Sequence, residues 1–392
     1  MKSRSSRRNF LAVGLGLPAV RLASASSTRE AATVPPPLKL LPDPPKGFRY
    51  RTLGKTGLKV TELGFGCMIT SDASVIEKAA ELGVNCFDTA RGYQQGNNER
   101  MVGAALKSKR KNVVLTSKTG ARTKDAALAD LDKSLSELGT DYLDVWHMHG
   151  RSSGTQITDE LLEAHAIAKK AGKIRFSGIS THGGQADILQ FAAKSGKIDV
   201  VQLGYNFTMG DSLNAAIDTA RAAGVGLVAM KVMAGGFRRT KPDSPQYSIL
   251  KREGAMLAAL KWVLKNPKVD STVPSITDME QLDENLKAMS APFGEADQKL
   301  LAAQLEHIGP LYCRMCGQCE GRCPKGVPVA DVLRYLSYAE GYGQFGLARE
   351  QFLELPEEVA AVRCSLCPSC SISCPNGVKV AQRLIRAQEL FA

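Results

Sequence analysis

Eight of the ten cysteines fall between Cys313 and Pro375, in two runs of a single pattern. Cys313-x2-Cys316-x2-Cys319-x3-Cys323-Pro324 is repeated as Cys364-x2-Cys367-x2-Cys370-x3-Cys374-Pro375. This is the bacterial two-cluster spacing for [4Fe–4S] centres. Three closely spaced cysteines on a tight loop reach three corners of one cubane, and the fourth passes on to the other. The spacing predicts Cys313, Cys316, Cys319 and Cys374 as one ligand set, and Cys364, Cys367, Cys370 and Cys323 as the second. Zinc sites use paired Cys-x2-Cys units rather than four-cysteine runs ending in Pro. Disulfides have no need of this periodicity.

The rest of the 392 residues is long enough for one large α/β barrel beside a small module. Apolar residues at 44% and charged residues at 23% are ordinary for a soluble globular chain. No long apolar run follows the N-terminus, so no internal membrane span is expected. Residues 1–25 read as an export signal. Ser6-Arg7-Arg8-Asn9-Phe10-Leu11 resembles the twin-arginine signature, a mildly apolar stretch runs from Leu11 to Val20, and Ala23-Ser24-Ala25 offers a cleavage site. No cysteine lies there for a lipid anchor. The alternative is a disordered basic tail. Export through the twin-arginine translocase to the periplasm suits clusters that must be built before transport. Removing this segment, with its five Lys/Arg and no Asp/Glu, lowers the formal charge from +12 to +7. The remaining excess is dispersed, which argues against a nucleic-acid footprint. The Pro-rich stretch 26–46 reads as an extended linker.

From Phe48 the pattern becomes regular. Phe48–Leu53 and Leu58–Val60 flank Gly54-Lys55-Thr56-Gly57 as a hairpin. Eight β-like runs then alternate with helical ones: Glu62–Gly66, Asn85–Asp88, Val113–Ser117, Tyr142–His149, Arg175–Ser180, Val200–Tyr205, Gly226–Met230 and Thr272–Ser275. The helices expected between them include Thr123–Leu138, Asp159–Ala171 and Met256–Leu264. This predicts a (β/α)8 barrel over 47–304, followed over 305–392 by a small α-helical ferredoxin-like domain. A doubly wound sheet is less fitting, for no Gly-x-Gly-x-x-Gly follows an early strand. Helical periods at Val329–Tyr338, Leu347–Leu355 and Lys379–Leu390 fill the cluster module, and Pro292–Gln304 connects it. Within the barrel, His147 shares the strand parity of His149 and is expected in the core. His165 and His307 are expected at the surface, and His182 beside a substrate pocket. Cys67 and Cys86 read as core thiols.

Polar residues close several strands: Asp88, followed by Thr89-Ala90-Arg91-Gly92-Tyr93; Lys118 in Thr116-Ser117-Lys118; and His149 after Asp141-Tyr142-Leu143-Asp144-Val145-Trp146-His147-Met148. Over Tyr50 to Met289 these motifs resemble the aldo-keto reductase family. The resemblance implies a catalytic tetrad of Asp88, Tyr93, Lys118 and His149. Tyr93 would protonate the alkoxide formed when a carbonyl takes hydride, Lys118 would lower its pKa, Asp88 would orient Lys118, and His149 would position the carbonyl.

The resemblance also implies NAD(P)(H). Ser180 and Gln202 would hold the nicotinamide carboxamide, and Lys231 with Gly235-Gly236 the phosphates. Ser275, Gln281, Glu284 and Asn285 stand at the adenosine end. Thr181 replaces a common Asn, and Met230 a common aromatic ring. Ser275 and Gln281 lack the basic groups that grip a 2′-phosphate, which argues against NADP preference and leaves NAD, loosely held NADP or no nicotinamide open. The C-terminal module is similar to the α-helical ferredoxin domain of respiratory iron–sulfur subunits. The expected protein is an exported redox enzyme acting on a carbonyl or alcohol, with clusters exchanging electrons with a partner protein. Two alternatives stay open: an electron-transfer protein whose barrel is a binding scaffold, and clusters that only staple the C-terminus.

Overall fold

The computed structural model of the chain describes residues 35–39, 45–235 and 254–392. The expected export signal, most of the expected linker and Gly236 lie outside them. Among the described residues no helix is long and apolar enough to cross a membrane.

The eight expected runs form one parallel sheet. Its strands are β3 (Phe65–Gly66), β4 (Cys86–Asp88), β5 (Val114–Thr119), β6 (Leu143–Met148), β7 (Ile174–Thr181), β8 (Val200–Gly204), β9 (Gly226–Met230) and β10 (Ser271–Thr272), each paired with the next in sequence. Bridges from Leu63 to Thr272 and from Gly66 to Ser275 join β10 to β3 and close the sheet into the expected (β/α)8 barrel. The two strands at this seam are shorter than their sequence runs, because pairing there reduces to isolated bridges.

Strand parity sorts the barrel interior into levels. Cys86, Val114, Val145, Val200 and Val228 form an apolar layer low in the barrel. The next inward positions toward the C-terminal ends are polar: Asp88, Thr116, His147, Ser180 and Gln202, all buried. Above Thr116 on the same face comes Lys118. The alternate residues, such as Leu115, Trp146, Met148, Val201 and Leu227, face outward into the main core. Gly178 beside His147 is required by space: a Cβ there would lie 2.3 Å from the imidazole Nδ1. His147 is thus a core histidine, as its parity predicts.

The antiparallel pair β1 (Tyr50–Thr52) and β2 (Lys59–Thr61) plugs the opposite end, with Leu53, Leu58 and Val60 joining the valine layer. Arg51 fastens this plug. It donates to Glu62 at 2.8 Å and to the carbonyls of Asn266 and Leu264 at 2.8 and 2.7 Å. Residues 35–39, part of the expected linker, lie against the same end. Lys39 donates its N–H to the Lys111 carbonyl at 2.9 Å, and Leu38 packs on the valine layer.

Outside the sheet lie α1 (Ala73–Glu81), α2 (Asn97–Leu106), α3 (Lys124–Leu138), α4 (Asp159–Lys170), α5 (Gln185–Ser195), α6 (Asn214–Ala222), α7 (Ala255–Leu264) and α8 (Met279–Ser290). Helix α4 shows why such segments are helical. Thr158 caps its first turn, Asp159 and Glu160 sit at its positive end, and Lys169 and Lys170 at its negative end. His165, expected at the surface, is instead buried on α4 and stacks on Trp146 with ring centroids 4.3 Å apart. Its position follows from the inward face of the helix, which the lone polar residue type concealed. His307 is half-buried on α9 (Glu295–Ile308).

Helix α9 packs on α7, and Lys261 pairs with Asp297 at 3.2 Å. The cysteine runs follow, together with α10 (Val329–Glu340), α11 (Phe345–Leu353), α12 (Glu357–Ala360) and α13 (Val380–Phe391). Val332, Leu336, Phe352, Leu384 and Phe391 make a second core, and Met68 of the barrel packs on it.

Candidate active site and cysteine clusters

Tyr93, Lys118, Asp88 and His149 converge at the C-terminal mouth of the barrel. The Lys118 ammonium is buried and donates to Asp88 at 2.6 Å, to the Thr89 carbonyl at 2.7 Å and to the Tyr93 hydroxyl at 3.3 Å. Thr116 donates to the other Asp88 oxygen at 2.7 Å, so the carboxylate is held on both sides. The Tyr93 and His149 rings meet edge to face at 5.8 Å. Backbone just after Tyr93 is unusual: Gln94 and Gln95 take left-handed φ values of 49° and 53°. Gln94 is tied down through its side chain, 2.8 Å from the Thr70 carbonyl.

The electrostatics differ from the sequence-based expectation in one respect. Lys118 was expected to lower the Tyr93 pKa. Burial, seconded by the charge of Asp88, instead holds the phenol well above its usual value. Burial also lowers the Lys118 ammonium, against the pull of Asp88. Tyr93 is therefore protonated throughout the neutral range, with its proton held until a stronger base arrives. Burial and the Lys118 charge push His149 well below its ordinary value, so its imidazole is neutral.

A cavity of about 1130 Å³ opens from this point. Asp88, Tyr93, His182, Met230 and Lys231 line one end, and Ser275, Gln281, Glu284 and Lys287 the other. Its length and two ends suit a dinucleotide. Ser180 and Gln202 are register partners on β7 and β8, buried and outside that lining. The Ser180 hydroxyl accepts from the Gly150 N–H at 3.1 Å, whereas the Gln202 carbonyl oxygen has no partner. Asn285, fully buried, likewise has both side-chain polar atoms unpartnered. Buried polar atoms left without partners are costly unless a ligand supplies them. Gln202 and Asn285 therefore fit a carboxamide- and adenosine-bearing cofactor. Asp278, Glu280, Asp283 and Glu284 surround the α8 end, where Lys287 is the basic member of the lining. That charge is ill suited to a 2′-phosphate.

Sequence reasoning missed three residues at the mouth. Tyr338 on α10 and Tyr342 just beyond it reach Lys231 after β9, and Arg334 on α10 backs the Tyr338 hydroxyl. Lys231, expected at a phosphate, donates to the Tyr338 hydroxyl at 3.1 Å. The helical period of α10 was legible, but nothing local says which distant surface its polar side chains meet.

All ten cysteines stand as free thiols. Cys313, Cys316, Cys319 and Cys374 line one small cavity. Around Cys364 stand Cys367, Cys323 and Cys370. Each group joins three cysteines of one run to the last of the other, as the spacing predicts. Burial pushes the Cys313 thiol up to about 12, and the adjacent Cys319, Cys316 and Cys374 push the same way. Four thiols crowded in this way fit the ligand set of an iron–sulfur cluster. Among the described residues no three side chains converge as ligands to a single ion. Cys313, Cys316, Cys319 and Cys374 stand around a small space, and the four-cysteine spacing of the runs is that of cubane ligands. N–H donors also face the sulfurs, from Met315 to Cys313 at 3.3 Å and from Asn376 to Cys316 at 3.5 Å.

A closed (β/α)8 barrel with a Lys–Asp–Tyr constellation at its mouth, fused to a helical cysteine module, is an aldo-keto reductase-like oxidoreductase. Comparison with known proteins agrees with this class. Residues 70–256 match the model of the Aldo/keto reductase family, and residues 312–379 that of the 4Fe-4S dicluster domain. An uncharacterised oxidoreductase of Bacillus subtilis is 28% identical over 286 residues, 62% of this chain and 92% of that protein. L-galactose dehydrogenase of Arabidopsis thaliana is 28% identical over 284 residues, 62% and 88% respectively. An aldo-keto reductase from Bacillus halodurans in its holo form superposes with a TM-score of 0.57 at 28% identity, covering 65% of this chain and 95% of that structure.

Proposed function

We propose that the protein interconverts a small carbonyl compound and its alcohol at the mouth of the barrel, with Tyr93 as the proton donor. The observation that carries this reading is the Lys118 ammonium bonded at once to Asp88 and to the Tyr93 hydroxyl. A bound nicotinamide cofactor would supply or take the hydride. The chain's own residues then do the rest. Neutral His149 donates a hydrogen bond to the carbonyl oxygen, holding it toward Tyr93. As charge grows on that oxygen it becomes a stronger base than the phenol, and the Tyr93 proton crosses. Lys118 stabilises the phenolate left behind, and Asp88 keeps Lys118 charged and aimed. Ser180 and Gln202 orient the carboxamide, and Ser275, Gln281, Glu284 and Asn285 hold the adenosine end, with NAD favoured over NADP.

The two cysteine groups hold two [4Fe–4S] clusters that exchange electrons with a partner protein. The chain is exported through the twin-arginine route, and its cofactors are loaded before transport. Four measurements test these parts. Tyr93→Phe abolishes carbonyl reduction, and an unchanged rate rejects its role. Iron and sulfide counts after anaerobic purification give about eight of each per chain for two cubanes. Clusters that resist reduction at any physiological potential favour a purely structural role. Sequencing the N-terminus of periplasmic material locates the cleavage.

A further inference from the structure

A second group of ionisable side chains stands at the barrel mouth, unused by the reaction above. Lys231 leaves β9 with a left-handed φ of 59°, and it lines the cavity that holds Tyr93. Its ammonium lies 4.2 Å from the centre of the Tyr338 ring and 5.1 Å from that of Tyr342, besides its hydrogen bond to the Tyr338 hydroxyl. Arg334 donates to the same hydroxyl at 3.2 Å, and is itself tied to Asp331 at 2.8 Å. The phenol thus accepts from two cations. Its own burial raises its pKa, but Lys231 and Arg334 outweigh that and bring it to about 8. Just beyond α10, a Cβ built on Gly341 would lie 1.7 Å from the Gly235 carbonyl. The C-terminal module therefore meets the loop after β9 backbone against backbone, which only glycine permits.

The charges at the mouth do not cancel. Lys118 is matched by Asp88, and Arg334 by Asp331. His149 and His182, pushed far down by burial, are neutral. Lys231 is left with phenols and aromatic faces, and with no carboxylate partner among the described residues. A half-buried cation of this kind is stabilised by whatever anion enters the cavity. Aromatic faces hold a cation in place without neutralising it.

We propose that Lys231 is an anion-recognition group that selects carbonyl substrates bearing a carboxylate or phosphate, and that Tyr338 of the C-terminal module is the positioning residue that aims it. This rests on the reading of Tyr93 as proton donor: the carbonyl points to Tyr93 and the anionic group to Lys231. The pyrophosphate of a dinucleotide offers the same chemistry, and the experiment separates the two.

The test compares 4-carboxybenzaldehyde with the near-isosteric, neutral 4-nitrobenzaldehyde on the full-length holoprotein. Lys231→Met raises KM for the carboxylate at least about tenfold more than for the nitro compound, as loss of a charge-assisted contact requires. Tyr338→Phe keeps the stacked ring, loses the shared hydroxyl and shifts the same ratio severalfold. Lys231→Arg restores part of it. Equal changes for both aldehydes, or no preference in the parent protein, overturn the proposal. So does a fall in NADH affinity for Lys231→Met with the aldehyde ratio unmoved, which assigns the cation to the pyrophosphate. Calorimetry of 4-carboxybenzaldehyde on Tyr93→Phe, with and without Lys231→Met, gives a readout free of turnover. Weaker binding with Lys231→Met supports the anion site even if Tyr93→Phe keeps full activity and the proton-donor reading fails. Equal binding overturns the anion site whatever Tyr93 does.

Discussion

Lys118 must keep a charge where almost no water reaches it, and Asp88 at 2.6 Å makes that tolerable. Lys118→Met leaves Asp88 as an uncompensated buried charge, with an expected loss of about 3–5 kcal/mol in stability. The same change lowers kcat/KM by about 10²–10⁴, as for a lost acid–base element. The double variant Lys118→Met/Asp88→Leu recovers most of the stability and none of the activity. Urea titrations beside initial rates separate the two effects, and recovered activity would refute the assignment. The buried histidines set the acid limb of stability. His147 is lowered to about 4 and His165 to about 3, chiefly by burial. Both depressions mean that the unfolded chain takes up protons first as pH falls. Stability is therefore full above the unfolded value of about 6.5, declines below it, and levels off once each folded-state pKa is passed. Over that range His147 carries on the order of 3 kcal/mol and His165 on the order of 5 kcal/mol. His165→Phe, which keeps the stack on Trp146, is expected to flatten the fall of Tm from pH 6.5 toward 4; an unaltered slope excludes His165 as a contributor.

Helix α8 decides which dinucleotide the cavity suits. Asp278 caps it, accepting from the Gln281 N–H at 2.8 Å, and Gln281 turns its amide back onto Thr277 at 2.7 Å. The side chain is thus braced against its own helix start and brings no positive charge to the cavity it lines. With four carboxylates around it, this end accepts a ribose hydroxyl more readily than a phosphate dianion. NADH should bind tighter than NADPH by fluorescence titration. Gln281→Arg combined with Ser275→Lys should narrow the gap about tenfold, since two cations then meet the 2′-phosphate. Equal affinities in the parent protein would contradict this reading of α8.

At the scale of the molecule, the C-terminal module both carries the cysteines and completes the barrel mouth. Cys313, Cys319, Cys323, Cys364 and Cys374 pack against its apolar core, so clusters held there and the core would support one another. Chelating iron from the native protein should raise amide exchange in α10, α11 and α13 well before the barrel strands, by mass spectrometry. Uniform exchange across both parts would show that the cysteines do not hold the module together. Because α10 touches Lys231, and Gly341 just beyond it meets Gly235, the same treatment should loosen the loop after β9 as well.

Much of this organisation is written locally. Strand parity assigns Asp88, Lys118 and His149 to the inner face, and the repeated cysteine spacing pairs each run with the last member of the other. Caps, charges and periods place the helices named from the sequence, the connecting segment apart, within a residue or two. What the sequence could not supply depends on surfaces brought together over long separations. His165 is polar and helical, yet it faces Trp146. Tyr93 carries a raised rather than a lowered pKa, because burial and the charge of Asp88 push it up. Arg334 and Tyr338 lie some hundred residues from Lys231, a separation apparent only once the chain is folded. Periodicity reports which face of an element is buried; only the tertiary structure decides what that face is buried against, and the energies of buried charges depend on that neighbour.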